Sequence, residues 1–112
     1  MKKTILTLAA LAAFSAPSLA ADPILGKWRA PGGGIVHVTS CGGSYCATVV
    51  SGQHKGKAVG RMNGQNGEYT GSVTDPRDDR TYSGSATVGG GTLKLTGCAL
   101  KIFCKTQVWT RV

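Results

Sequence analysis

From Ile24 onward the chain alternates apolar and polar positions in short runs and nowhere sustains the 3.6-residue apolar period of a helix. Residues favoured in turns separate these runs at intervals of about 8 to 12 residues. The pattern predicts strands near Ile24–Ala30, Ile35–Ser40, Tyr45–Ser51, Ala58–Met62, Glu68–Thr74, Thr81–Val88, Thr92–Gly97 and Lys105–Val112. The breakers between them are "APGGG" before Ile35, "CGGS" after Ser40, "NGQNG" before Glu68, "DPRDD" before Arg80 and "GGG" before Thr92. The class is therefore all-β.

Several glycines, among them Gly60, Gly71 and Gly84, fall inside the predicted strands, where glycine marks a bulge, a bend or a close backbone approach. Eight short antiparallel strands with such bending points and no long crossover predict an eight-stranded up-and-down barrel whose last strand pairs with its first. Strand parity turns Val36, Val38, Val49, Leu93, Leu95 and Val108 inward, and with Tyr69 and Tyr82 these are the candidate ligand-lining residues. The same parity puts Thr106, Val108, Thr110 and Val112 on one face of the last strand. Lys105, Gln107, Trp109 and Arg111 take the other. Strands of about six residues favour a small interior, and an eight-stranded barrel either holds one small ligand or is filled by its own side chains.

The first residues, "MKKTILTLAALAAFSAPSLA", have the basic start, short apolar run and small-residue cleavage site of a secretory signal, which assigns residues 1–20 to a signal peptide and 21–112 to one barrel domain. The apolar run is too short to span a bilayer comfortably, and no later segment resembles a spanning helix. The expected location is the periplasm, with full secretion as the alternative. In that compartment Cys41, Cys46, Cys98 and Cys104 read as two disulfides, for which the sequence allows three connectivities. The local pairs, Cys41–Cys46 and Cys98–Cys104, are favoured because each brackets a short loop between strands. Loop closure gives each about 2 kcal/mol.

The formal charge of +8 becomes +6 once Lys2 and Lys3 are removed, which makes an anionic envelope component a candidate partner. The basic residues are scattered and not interleaved with aromatics, which argues against nucleic acid. His37 and His54 have no second ligand at metal spacing, so neither a metal nor another cofactor is expected. Of the five acids, Asp75, Asp78 and Asp79 crowd into "TDPRDDRTY". Paired carboxylates there could act as acid and base, but Asp-Pro and Asp-Asp are also turn-forming, and the turn reading is preferred. No nucleophile elbow, phosphate-binding loop or zinc-protease motif occurs, and the chain is not expected to be an enzyme. In a closed ring Arg111 of "WTR" could lie over the ring of Trp28 of "GKW" and shut one end of the barrel.

The segments "ADPILGKW", "VTSCGGSYCATVV", "DPRDDRTYSG" and "LTGCALKIFCKTQVWTRV" together resemble a family of small secreted bacterial proteins catalogued as a domain of unknown function. The resemblance implies a small lipocalin-like β-barrel, with the lipocalin Gly-x-Trp and late arginine falling on Gly26, Trp28 and Arg111. It implies no reaction. Two departures stand out: Asp78–Asp79 replaces the family's Asp-Gly before Thr81 and Tyr82, and between Gly52 and Asn66 this chain lacks the tryptophan that relatives often carry, offering Arg61 or Tyr69 instead. The functional expectation is a barrel that binds a small apolar or amphipathic ligand or an envelope component. The alternative is an interaction or inhibitor protein with a filled barrel and a basic contact surface.

Overall fold

The computed structural model describes residues 22–100 and 102–112; the signal segment expected over residues 1–20 lies outside them. Eight antiparallel strands follow one another around a closed barrel: β1 (Gly26–Arg29), β2 (Ile35–Cys41), β3 (Ser44–Ser51), β4 (Ala58–Gln65), β5 (Glu68–Asp75), β6 (Arg80–Gly89), β7 (Thr92–Ala99) and β8 (Phe103–Arg111). Each strand predicted from the pattern is present. The largest discrepancies are at β1, which is shorter, and β4, which runs three residues further to Gln65.

Three of the hairpins turn through two residues with positive φ: Gly42–Gly43, Asn66–Gly67 and Gly90–Gly91. This backbone matches the right-handed twist of the paired strands, and it explains why glycine and asparagine occupy these positions. All three turns lie at one end of the barrel, together with the entry to β1 and the exit from β8. The connections Ala30–Gly34, Gly52–Lys57, Pro76–Asp79 and the β7–β8 link lie at the other. The two ends are called here the closed end and the open end.

Curvature is concentrated where Met62, Gly71, Gly84 and Gly97 stand side by side across β4 to β7. A Cβ at Gly71 would run into the Arg61 carbonyl oxygen, and one at Gly84 into the Val73 side chain. The absent side chains let the sheet curl tightly, and the Met62 and Val73 side chains occupy the space beside Gly84.

The core comprises Ile24, Trp28, Val36, Val38, Val49, Val59, Met62, Tyr69, Ala86, Leu93, Leu95 and Trp109. Val108 requires a correction: it faces solvent at 51% exposure, and its neighbour Trp109 points inward at 6%. The cause is the cross-strand register. Trp109 stands opposite Leu93, whereas Val108 stands opposite the outward Lys94, so the inward face of β7 dictates which face of β8 is buried. Tyr82 lies half-buried towards the open end opposite Val73, on the same face of β6 as the buried Ala86.

The cysteines form the two local disulfides, Cys41–Cys46 at the closed end and Cys98–Cys104 at the open end. Cys98 and Cys104 are directly paired across β7 and β8, so the second bridge braces the base of that hairpin.

Candidate functional site

The interior is the first place to look for a binding site, and it is full. The space left among Ile24, Val38, Tyr45, Ala47, Val59, Met62, Leu93, Leu95 and Trp109 is about 20 Å³. That is room for about one water molecule, far below what an acyl chain occupies. Val36, Val38, Val49, Tyr69, Leu93 and Leu95 are all buried, and they pack against one another instead of bordering a ligand-sized cavity.

The closed end is sealed by its own chain. Asp22–Leu25 crosses it and drops Ile24 into the core at 3% exposure. Trp28, fully buried, donates its indole N–H to the Ile24 carbonyl at 2.9 Å. The Arg111 guanidinium lies 3.9 Å from the Trp28 ring centroid and donates to the carbonyls of Leu25 at 2.7 Å and Pro23 at 2.6 Å. Gly26 makes this approach possible, since a Cβ there would sit 2.8 Å from Arg111 Nη1, and its φ of +121° is one that side chains rarely adopt. Gly26, Trp28 and Arg111 thus form one stacked plug.

A second latch holds the same segment. The Tyr69 hydroxyl donates to the Asp22 carboxylate and accepts the Gly67 N–H at 3.1 Å. The Asp22 carboxylate also accepts the N–H groups of Ile24 at 3.2 Å and Asn66 at 3.3 Å. Burial, reinforced by the Asp22 bond, pushes the Tyr69 hydroxyl up to about 12. For Asp22 burial acts upward, but the bonds from Tyr69, Ile24 and Asn66 outweigh it and hold the carboxyl below its ordinary value. Tyr45 adds an edge-to-face contact with Tyr69 at 5.6 Å between centroids. Neither Asp22 nor Ile24 was legible as part of a site from sequence, because their partners are far away along the chain.

The open end is built from charge. The side chain and N–H of Arg77 bind Asp75 and lower it to about 2, which suits a turn anchor and not a proton donor at neutral pH. The Asp78 carboxylate accepts the Arg80 N–H at 3.0 Å. Asp79 adopts φ +60° and pairs with Lys57 at 3.3 Å, and Lys57 also donates to the Pro76 carbonyl at 3.0 Å. The acidic run therefore caps and pins the β5–β6 turn, and Asp79 does so in the left-handed conformation that a glycine would adopt without strain. Among the described residues no cluster of three or more histidine, cysteine or carboxylate side chains has the geometry of a metal site. His37 stands in β2 opposite Lys27 and Thr48.

Beside this turn the β7–β8 link projects the most exposed large apolar side chains of the described residues: Leu100 at 82%, Ile102 at 74% and Phe103 at 65%. Comparison with known families bears on this half of the barrel. A family model described as an uncharacterized protein conserved in bacteria, DUF2147, matches residues 57–111. Over these residues the chain is similar to the DUF2147 family. The DUF2147 match spans β4 to β8, including the acidic turn, the Cys98–Cys104 hairpin and Arg111, whereas Gly26, Trp28 and the Cys41–Cys46 hairpin lie before it. No curated protein and no solved structure matches the chain.

Proposed function

We propose that this protein is a non-enzymatic interaction protein of the bacterial envelope, periplasmic or secreted, that binds an anionic envelope component through the outside of a filled barrel. The observation carrying this reading is the interior space of about 20 Å³, which leaves the outer surface as the place for recognition. The positive charge, +8 for the whole chain and +6 without Lys2 and Lys3, sets the sign of the partner. At the open end Lys55, Lys57, Arg77, Arg80 and Lys105 outweigh Asp75, Asp78 and Asp79, and the ion pairs there are exposed and contribute little to folding. A small apolar ligand would have to displace core side chains, and the packing does not favour that alternative.

The test combines two measurements. Retention of the disulfide-intact protein on an immobilised soluble polyanion such as heparin is expected, with release as salt rises. Native mass spectrometry of protein purified from its own envelope is expected to give the mass of the polypeptide alone. A co-purifying compound of constant mass would restore the container reading, and absence of retention at low salt would remove the anionic partner.

A further inference from the structure

The exposed tip of the β7–β8 hairpin combines three properties that surface loops seldom share. Leu100, Ile102 and Phe103 are large, apolar and mostly in water. The disulfide between the directly opposed Cys98 and Cys104 closes the hairpin at its base, so the tip is held as a fixed projection. Lys105 stands two residues beyond Phe103, and no acid lies between Asp79 and the end of the chain to offset it. Leu100 adopts φ +54°, a conformation costly for a leucine, and places its side chain out in solvent instead of folding it back on the barrel.

We infer that this tip is a membrane-insertion finger: Leu100, Ile102 and Phe103 enter the interfacial region of an anionic lipid bilayer, and Lys105 with the other basic side chains of the open end meets the headgroup phosphates. Exposed apolar side chains at a basic end of the barrel match the two layers of such an interface, hydrocarbon below and negative charge above. The carboxylates sharing this end do not oppose approach, because Asp75, Asp78 and Asp79 are paired with Arg77, Arg80 and Lys57. The inference rests on the anionic-envelope reading and narrows it to one partner and one hairpin.

Sedimentation with vesicles of phosphatidylglycerol and phosphatidylethanolamine, against phosphatidylcholine alone, tests it on the full disulfide-bonded protein. Binding to the anionic vesicles only is expected, and L100S/I102S/F103S should weaken it at least tenfold with an unchanged melting temperature. Phe103→Trp supplies an independent readout, since Trp28 and Trp109 are buried and give a constant background. Its emission should shift to the blue on anionic vesicles. Equal binding by the triple variant, or wild-type binding with no blue shift in the Trp variant, overturns insertion. If the wild type ignores vesicles but is retained on heparin, the finger is overturned and the anionic-partner reading stands; if it does neither, both fall.

Discussion

The two ends of this barrel are made from different interactions. At the closed end an indole, a guanidinium, a phenol and a carboxylate lock the segment Asp22–Leu25 over the core, with every strong donor aimed at a carbonyl or carboxylate of the same end. At the open end the charges are mostly exposed, each acid serves its own turn, and a hairpin tip leaves three large apolar side chains in water. Buried side-chain hydrogen bonds and stacking are thus concentrated at one end, and the polar contacts of the other lie mostly in water. Such a division suits a protein that works by contact.

The contrast can be broken most sharply at Trp28. Trp28→Ala removes a fully buried indole with its stacked guanidinium and should cost about 3 to 5 kcal/mol, read as the shift of a urea midpoint. Next in size is Tyr69. Its hydroxyl titrates near 10 in the unfolded chain and at about 12 in the fold, so its contribution is complete below pH 10 and is lost as pH rises towards 12. Wild-type stability should fall through that window by roughly 2 kcal/mol, and Tyr69→Phe should flatten the fall. Arg111→Lys keeps the charge but cannot reach both the Leu25 and Pro23 carbonyls while stacking on Trp28. A loss of about 1 to 2 kcal/mol is expected in thermal unfolding, and a neutral result would show the plug to be held by Trp28 alone.

At the open end the effects should be smaller. Asp75 sits at about 2 against an ordinary 3.8, so the stability it lends is present above pH 4 and disappears as the pH falls to 2. Screening limits this to about 1 kcal/mol, and Asp75→Asn should lower neutral stability by about that amount and remove that part of the acid limb, so that variant and wild type converge near pH 2. Substitutions at Leu100, Ile102 and Phe103 should lie within about 0.5 kcal/mol of wild type in the same assay. A large loss there would mean that the ends do not differ as their packing indicates.

The repeating part of this architecture was open to reading from sequence, because local rules decide it. Period-two alternation placed the strands, pairs such as Asn66–Gly67 placed the tight turns, and short cysteine spacings matched hairpins narrow enough to bridge. Failure came where a choice depends on a neighbour. Val108 and Trp109 are adjacent and both apolar, so parity within β8 cannot choose between them; only the opposition of Trp109 to Leu93 does. The Asp22–Tyr69 latch joins residues 47 positions apart, a distance over which no pattern operates. The fullness of the interior was equally hidden, since it depends on how far Ile24, Met62 and Trp109 reach into a shared space. Nor does apolar content reveal an exposed tip: Leu100, Ile102 and Phe103 are residues typical of a buried strand, and only their position at and beyond the last pair, Ala99 with Phe103, puts them in water.

The seam between β1 and β8 has a consequence in time. Trp28 and Arg111 face each other across it, so the ring joins residues from opposite ends of the described chain. A polypeptide emerging from its N-terminus can form the hairpins β2–β3, β4–β5 and β6–β7 one after another, but β1 has only one neighbour until β8 arrives. Closure therefore has to wait for β8, and it is a contact of the high sequence separation that makes pairing slow. Until then both margins of the sheet remain unpaired, and the protein is most vulnerable to association with other chains in the interval just before it is finished.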